Sequence, residues 1–290
     1  MSHCHATLLS DRGVVRVAGA DAAKLLQGVI TTDIDKAHGR AAIHAGLLTP
    51  QGKILFDFFV VAADGGFLLE VARDKAAELV KRLGFYRLRA EVEIAEEPAF
   101  KVAAAWGGEP NLPAGAISFA DPRLPELGLR ILLPEGAGVA QLGCMEAEGA
   151  DYHVKRIKLG VPEGGRDYAF GDAYPHDALF DQLNGVDFHK GCFVGQEVVS
   201  RMQHKSTTRK RIVPVEGDAP LPPSGTEVVA GDLPLGPLGS VSGASGLALL
   251  RLDRAEEALA RGTPLTAGAV KITLRRPAFA GFDVPVAISA

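Results

Sequence analysis

Thr49-Pro50-Gln51-Gly52-Lys53-Ile54-Leu55-Phe56-Asp57-Phe58-Phe59-Val60-Val61-Ala62-Ala63-Asp64-Gly65-Gly66-Phe67-Leu68-Leu69-Glu70-Val71 reads as a turn, a strand, a hairpin and a return strand. Ile54, Phe56, Phe58 and Val60 share one face of the strand over 53–62, and Asp57 falls on the other. Asp64-Gly65-Gly66 closes the hairpin, and 67–71 runs back. A long strand with one apolar face needs a helical or sheet layer against it, so the flanking segments decide the class.

Upstream, 14–17 is a short strand, and Gly19-Ala20-Asp21 opens a helix over 22–28 with Asp21 as N-cap. Downstream, Asp74 caps a helix that carries Ala76, Leu79, Val80 and Leu83 and stops at Gly84. Strands follow over 90–95, 101–105 and 129–133, with 107–128 as a surface connection rich in Gly and Pro. A helix covers 150–159, and a long loop covers 163–188. Beyond Arg209 the texture changes to short β-type runs, 211–216, 227–230, 247–252 and 269–274, spaced by Pro and Gly as in a small barrel. The expectation is an α+β domain over 1–208 followed by a β-barrel domain over 209–290.

The 290 residues are 47% hydrophobic and 23% charged, which excludes a mainly disordered chain. With 31 Lys+Arg against 35 Asp+Glu the net charge is −4, so no global basic field holds a nucleic acid. His204-Lys205 and Arg209-Lys210-Arg211 form a local basic stretch that suits an anionic folate tail or RNA but more often is a solvated linker, and no direct nucleic-acid partner is expected. No apolar run reaches the roughly 18–20 residues of a membrane span, and Met1 to Thr7 has no leader pattern. The location expected is cytoplasmic, with no membrane partner. Cys4, Cys144 and Cys192 are widely spaced without a CxxC, which argues against a disulfide framework or a self-contained zinc site. If sulfur matters here, one thiol carries it.

The densest cluster is Asn184-Gly185-Val186-Asp187-Phe188-His189-Lys190-Gly191-Cys192-Phe193-Val194-Gly195-Gln196-Glu197. Two glycines bracket Cys192, and a helix begins at Gln196. A nearby helix N-terminus and Lys190 both favour a thiolate over a thiol. The same spacing also suits a small buried residue in a tight turn.

Lys190-Gly191-Cys192-Phe193-Val194-Gly195-Gln196-Glu197 resembles the KGC(Y/F)xGQE signature of the YgfZ family, folate-binding proteins that assist iron-sulfur protein maturation and are relatives of the glycine-cleavage T-protein. The resemblance continues through Gly19-Ala20-Asp21, Leu26-Gln27-Gly28, Leu48 to Lys53, Tyr86-Arg87-Leu88-Arg89, and Arg156-Ile157 leading to Gly160-Val161-Pro162, nearly the whole chain. It implies a T-protein-like folate-binding domain before the barrel, with the signature loop 190–197 near the folate cavity. It also implies support of iron-sulfur enzymes, including those that modify tRNA, without turnover of its own. The T-protein typically has two adjacent acids where Phe56-Asp57 stands, and Arg-x-Glu where Arg156-Ile157-Lys158 stands. Both departures argue against inherited aminomethyl transfer, which is the alternative function; a single-thiol redox role of Cys192 is the second alternative.

The candidate catalytic residues are therefore Cys192, Lys190 and Asp57. Tyr86, Arg87 and Arg89 offer a ring and two guanidiniums for a pterin or a glutamate tail, or form a solvated strand entry. Arg156 is a bidentate carboxylate partner or a wet helical face. Asp177, where the YgfZ pattern often has Glu, joins Gln196 and Glu197 as candidate cofactor contacts. The cofactor expected is tetrahydrofolate or a one-carbon derivative. The partners expected are iron-sulfur client or assembly proteins, with a transient cluster shared through Cys192 because three scattered cysteines do not complete a ligand set.

Overall fold

A computed structural model describes residues 4–205 and 208–286; Met1, Ser2 and His3, part of the segment read for a leader, lie outside the described residues. The chain packs as two compact units. One runs to Tyr152 and takes in Leu183–Gln196, and the other holds His153–Gln182 and the chain from Glu197 onward. The barrel starts at Lys210, close to the expected boundary at Arg209, while the loop before it divides between the two units.

In chain order the first unit has β1 (His5–Leu8), β2 (Arg12–Ala18), α1 (Ala22–Val29), β3 (Ala42–Leu48), β4 (Ile54–Ala63) and β5 (Gly66–Ala72). Then come α2 (Ala76–Arg87), β6 (Glu93–Glu96), β7 (Phe100–Trp106), β8 (Ile117–Ala120), β9 (Leu129–Pro134) and β10 (Met145–Glu146). Two five-stranded sheets result, in the orders β3-β4-β5-β2-β6 and β10-β1-β7-β9-β8. The hairpin β4–β5 pairs antiparallel from Phe58↔Val71 to Ala63↔Gly66. Phe56, Phe58 and Val60 then join Leu25, Leu26, Leu79 and Leu83 in one apolar cluster, so α1 and α2 cover that face of the sheet. The α+β class expected from the sequence holds.

Several local expectations change. Asp21 does not cap α1 through its side chain. Its carboxylate accepts the Glu91 backbone N–H at 2.9 Å instead, tying the start of α1 to the chain after α2. Helix α2 passes Gly84 and ends only at Arg87. The connection over 107–128 contains β8. β1 pairs parallel with β10, which brings Cys4 and Cys144, 140 residues apart, into a disulfide with Cα atoms 4.7 Å apart. The expectation of no disulfide is therefore corrected: strand pairing joins two cysteines whose spacing carries no signal.

Helix α3 (Gly149–Leu159) starts in the first unit and continues from His153 in the second, where it leads to the long loop; α4 (Gln196–Lys205), in the second unit from Glu197 onward, precedes the barrel. The barrel comprises β11 (Lys210–Gly217), β12 (Glu227–Ala230), β13 (Leu233–Ser242) and β14 (Ser245–Arg251), then α5 (Leu252–Ala260), β15 (Leu265–Ala267) and β16 (Val270–Leu274). It closes in the order β11-β14-β13-β12-β15-β16, with β11 meeting β16. Among the described residues no helix is long and apolar enough to cross a membrane.

Candidate functional site

The signature loop is fixed on both sides of Cys192. Before it, the Lys190 ammonium donates to the carbonyls of Gln27 (2.9 Å), Ile30 (2.7 Å) and Thr32 (3.1 Å). These oxygens lie at and just past the end of α1, where a helix leaves its last carbonyls unpaired and carries partial negative charge. Burial pushes the Lys190 pKa down to about 8, with Asp33 and Asp187 opposing. The expected role of Lys190 is corrected here. All three of its N–H groups serve backbone oxygens, so the cation anchors the loop rather than standing free beside the sulfur.

After Cys192 the anchor is steric. Phe193 is buried, its ring centre 5.4 Å from the Lys190 Nζ, and Val194 packs on the first apolar cluster. Gly195 has φ +82°, and a Cβ there would sit 2.6 Å from the Thr49 carbonyl and 3.0 Å from the Gly52 Cα. Only glycine lets the loop press onto the Thr49–Gly52 turn. Between these anchors Gly191 and Cys192 are exposed, and Cys192 is a free thiol. The alternative of a small buried cysteine does not hold.

The start of the loop is tied to the segment between α1 and β3. Thr31 donates to Gly185 O at 2.6 Å and accepts the Gly46 N–H, while Asp187 N donates to Thr31 O at 2.9 Å. Asp187 also accepts the His189 N–H at 2.9 Å and pairs with Lys36 at 2.6 Å. Lys36, Asp187 and His189 join Thr32, His44, Pro122, Asn184 and Phe188, among others, in lining a cavity of about 450 Å³. That volume lies within the roughly 300–1,000 Å³ usual for small-molecule sites.

Behind the cavity lies a buried polar layer between the two sheets. Asp57 is buried on the β4 face opposite Phe56 and Phe58, the face that also carries Phe59. The Arg123 and Arg130 guanidiniums sit 4.9 and 5.2 Å from the Phe59 ring centre. Arg130 pairs with Glu70 at 3.2 Å and Asp121 at 3.4 Å and donates to the Tyr152 hydroxyl at 2.7 Å. Arg12 meets Glu70 at 3.0 Å, and Arg123 meets Asp121 at 2.8 Å. Burial raises the Asp121 pKa, but Arg123 and Arg130 outweigh it and hold the group at about 2. His44 lies against the Leu183 carbonyl through Nδ1 at 2.9 Å, so that nitrogen carries the proton. Burial, aided by Arg123, pushes the His44 pKa down to about 4.

The other candidates are dispersed. Tyr86 and Arg87 end α2 and Arg89 follows it; Tyr86 packs on the apolar cluster, both arginines are exposed, and none of the three lines the cavity. Arg156 and Asp177 belong to the second unit. Arg156 is fully buried and binds Asp167 (2.6 Å), the Ser240 hydroxyl (2.6 Å), Glu163 (3.0 Å) and the Val161 carbonyl (3.2 Å), so it clamps the long loop to β13. Neither the ligand role nor a wet helical face describes it. Asp177 accepts the Tyr174 N–H at 3.1 Å, and burial pushes its pKa up to about 6. Gln196 is half-buried at the start of α4, and Glu197 is exposed and paired with Arg201 at 2.6 Å. Arg211, read as linker, is buried and forked onto Asp181 at 2.9 Å.

Sequence reasoning missed His44, Glu70, Asp121, Arg123 and Arg130. One signal was available: alternation along β4 puts Asp57 and Phe59 on the face away from the helices, where a second sheet must pack.

The family described as "CAF17, C-terminal beta-barrel domain" matches residues 209–282. The chain is 36% identical over 241 residues to "Iron-sulfur cluster assembly factor IBA57 homolog, mitochondrial" of Neurospora crassa, covering 74% of this chain and 55% of that protein. It is 33% identical over 273 residues to "Iron-sulfur cluster assembly factor IBA57, mitochondrial" of Homo sapiens, covering 83% and 76%. The crystal structure of glycine cleavage system aminomethyltransferase T from Bartonella henselae superposes with a TM-score of 0.75 at 15% identity, over 96% of this chain and 87% of that one, a likeness of fold. These relatives bear the IBA57 name rather than that of the YgfZ family that the loop resembles, and they are named mitochondrial. The cytoplasmic expectation is corrected accordingly.

Proposed function

The chain belongs to the IBA57 family of iron-sulfur cluster assembly factors, and from that premise we propose that it assists the assembly of iron-sulfur proteins. The observation that carries the reading is the similarity to the Neurospora and human factors, each at about a third identity. The exposed Cys192 supports it, since thiolate sulfur is the usual ligand of an iron-sulfur cluster. Cys4 and Cys144 are bonded to each other, so Cys192 would hold a cluster in transit only together with a partner protein or a small thiol. In the manner of YgfZ proteins, the clients we propose include tRNA-modifying enzymes.

We further propose that the cavity lined by Asn184 and residues 186–189, just before the signature loop, binds tetrahydrofolate. Its volume suits a pterin with part of its tail. Phe188 offers a ring face, Asn184 an amide, and the exposed Lys36, paired with Asp187, a cation that a glutamate carboxylate would share. A bound folate supplies a carrier for one-carbon units, which the chain itself lacks. Aminomethyl transfer is disfavoured because Phe56 is fully buried in the apolar cluster, leaving Asp57 without the adjacent acid.

Two measurements separate these claims. Expression in cells depleted of their own IBA57 should restore iron-sulfur enzyme activity; no restoration from a stably expressed protein contradicts the assembly role. Titration calorimetry with tetrahydrofolate should give binding that weakens with salt and with Lys36→Ala. Absence of heat up to millimolar folate contradicts the cofactor and leaves the assembly role standing.

A further inference from the structure

The end of α2 has features that folding does not explain. Ala76, Leu79 and Leu83 bury one side of the helix. Phe85 and Leu88 instead stand 63% and 89% exposed. Leu88 also has φ +46° with ψ −108°, a backbone conformation strained for leucine. An apolar side chain held in strain and left in water is a feature to read toward function.

The surroundings state what it would meet. The Arg82 guanidinium lies 6.0 Å from the Phe85 ring centre, and exposed Arg87 and Arg89 flank Leu88. Among the described residues no carboxylate is paired with Arg82, Arg87 or Arg89. In a chain of net charge −4 this is a local reversal of sign. Carboxylates border it along β6, the edge strand of its sheet, with Glu91, Glu93, Glu96 and Glu97; toward the start of α2, Asp74 and Glu78 stand among Arg73, Lys75 and Lys81, and Glu78 pairs with Lys75 at 3.0 Å. A polynucleotide backbone or a flat anionic bilayer would meet these acids together with the arginines. A compact acidic segment would not.

We propose that the tip of α2 is a docking face for an acidic protein segment, which sets an apolar side chain against Phe85 and Leu88 and its carboxylates against Arg82, Arg87 and Arg89. The face goes beyond the assembly reading and uses neither Cys192 nor the cavity. Aromatic and arginine side chains are the groups that carry most binding energy at such contacts.

A displayed random-peptide library selected on the full chain is the probe. Enriched peptides should share an apolar residue flanked by Asp or Glu, and their affinity should fall about tenfold or more in Arg87→Glu and in Leu88→Gly, and fall with salt. Leu88→Gly should melt at the same temperature as the parent or higher, since glycine relieves the strained φ. The proposal is overturned if no acidic-apolar consensus emerges, if the variants bind the peptides unchanged, or if Leu88→Gly melts lower, which makes Leu88 structural. It is equally overturned if phosphatidylserine vesicles or a single-stranded RNA bind this tip more tightly than the peptides. Self-association abolished by the same substitutions would assign the face to a second copy instead.

Discussion

The barrel and the layer between the two sheets of the first unit are filled with different chemistry. Val213, Val215, Val228, Leu238, Leu250, Leu265 and Leu274 fill the barrel as one apolar cluster, and the buried charges of the second unit, Arg156 and Arg211, are each matched to an aspartate. Between the sheets of the first unit, Arg12, Glu70, Asp121, Arg123, Arg130 and Tyr152 are buried around Phe59. Apolar burial needs only volume and patterning, whereas each buried ion costs several kcal/mol that its partners must return. The barrel is therefore built for stability. The inter-sheet layer keeps a charged, rigid wall behind the cavity, at a cost no stability argument requires.

The largest expected effect breaks that wall. Arg130→Leu leaves Glu70 with Arg12 alone and Asp121 with Arg123 alone, takes a donor from the Tyr152 hydroxyl, and should destabilise by about 3–5 kcal/mol in urea unfolding. Leu250→Ala in the barrel should cost about 2–5 kcal/mol by opening a cavity. The two losses separate by pH: the Arg130→Leu deficit should shrink in acid, where the charge that Arg130 balances is lost, and the Leu250→Ala deficit should not change.

Acid sharpens the comparison, because the units respond with opposite sign. His44 titrates at about 4 when folded against 6.5 when unfolded, so the unfolded state binds more protons between these values. Stability should fall by up to about 3 kcal/mol as pH drops from about 6.5 to 4. Asp121 adds a further loss between 3.8 and about 2. His44→Gln should flatten the first of these. Asp177 in the second unit is raised to about 6, so there the folded state holds the extra proton and stability falls as pH rises from 3.8 to about 6. Asp177→Asn should stabilise the chain at neutral pH by about 1–3 kcal/mol, with no gain below pH 4. His176, held below its ordinary value by burial, opposes Asp177 in the parent, and the variant isolates the two.

A smaller effect belongs to the loop. Lys190→Met leaves three carbonyls without their donor and should cost about 1–3 kcal/mol. Lys190→Arg should not restore it, because a planar fork does not converge on three oxygens as an ammonium does.

The sequence made the β4–β5 hairpin and the start of the barrel readable, because alternation and turn residues are local. It hid β13, where Pro234, Gly236, Pro237 and Gly239 look like a loop; the strand accommodates them with a register shift before Val241. It hid the run of α2 past Gly84, since the Cβ of an added side chain there would meet open space and nothing forces a stop. The signature loop was visible as a motif, yet Lys190 was misassigned because its partners are about 160 residues away in sequence. The buried charges come from β2, β5, β9 and the loops beside them; residues 121–130 hold Asp121, Arg123 and Arg130, but Glu70 and Arg12, which complete the layer, lie about 50 and 110 residues upstream.

The central claim is that buried Lys190 and Phe193 hold Cys192 in solvent as a working thiol. Cys192→Ser keeps the size, and at an exposed position should shift unfolding by less than about 0.5 kcal/mol. The direct measurement is the activity of iron-sulfur enzymes in cells depleted of their own IBA57 and supplied with Cys192→Ser at the parent's level. The account predicts an unchanged melting temperature with enzyme activity lost. Full rescue by Cys192→Ser would contradict it and reduce the signature to a shape that packs α1 against the Thr49–Gly52 turn.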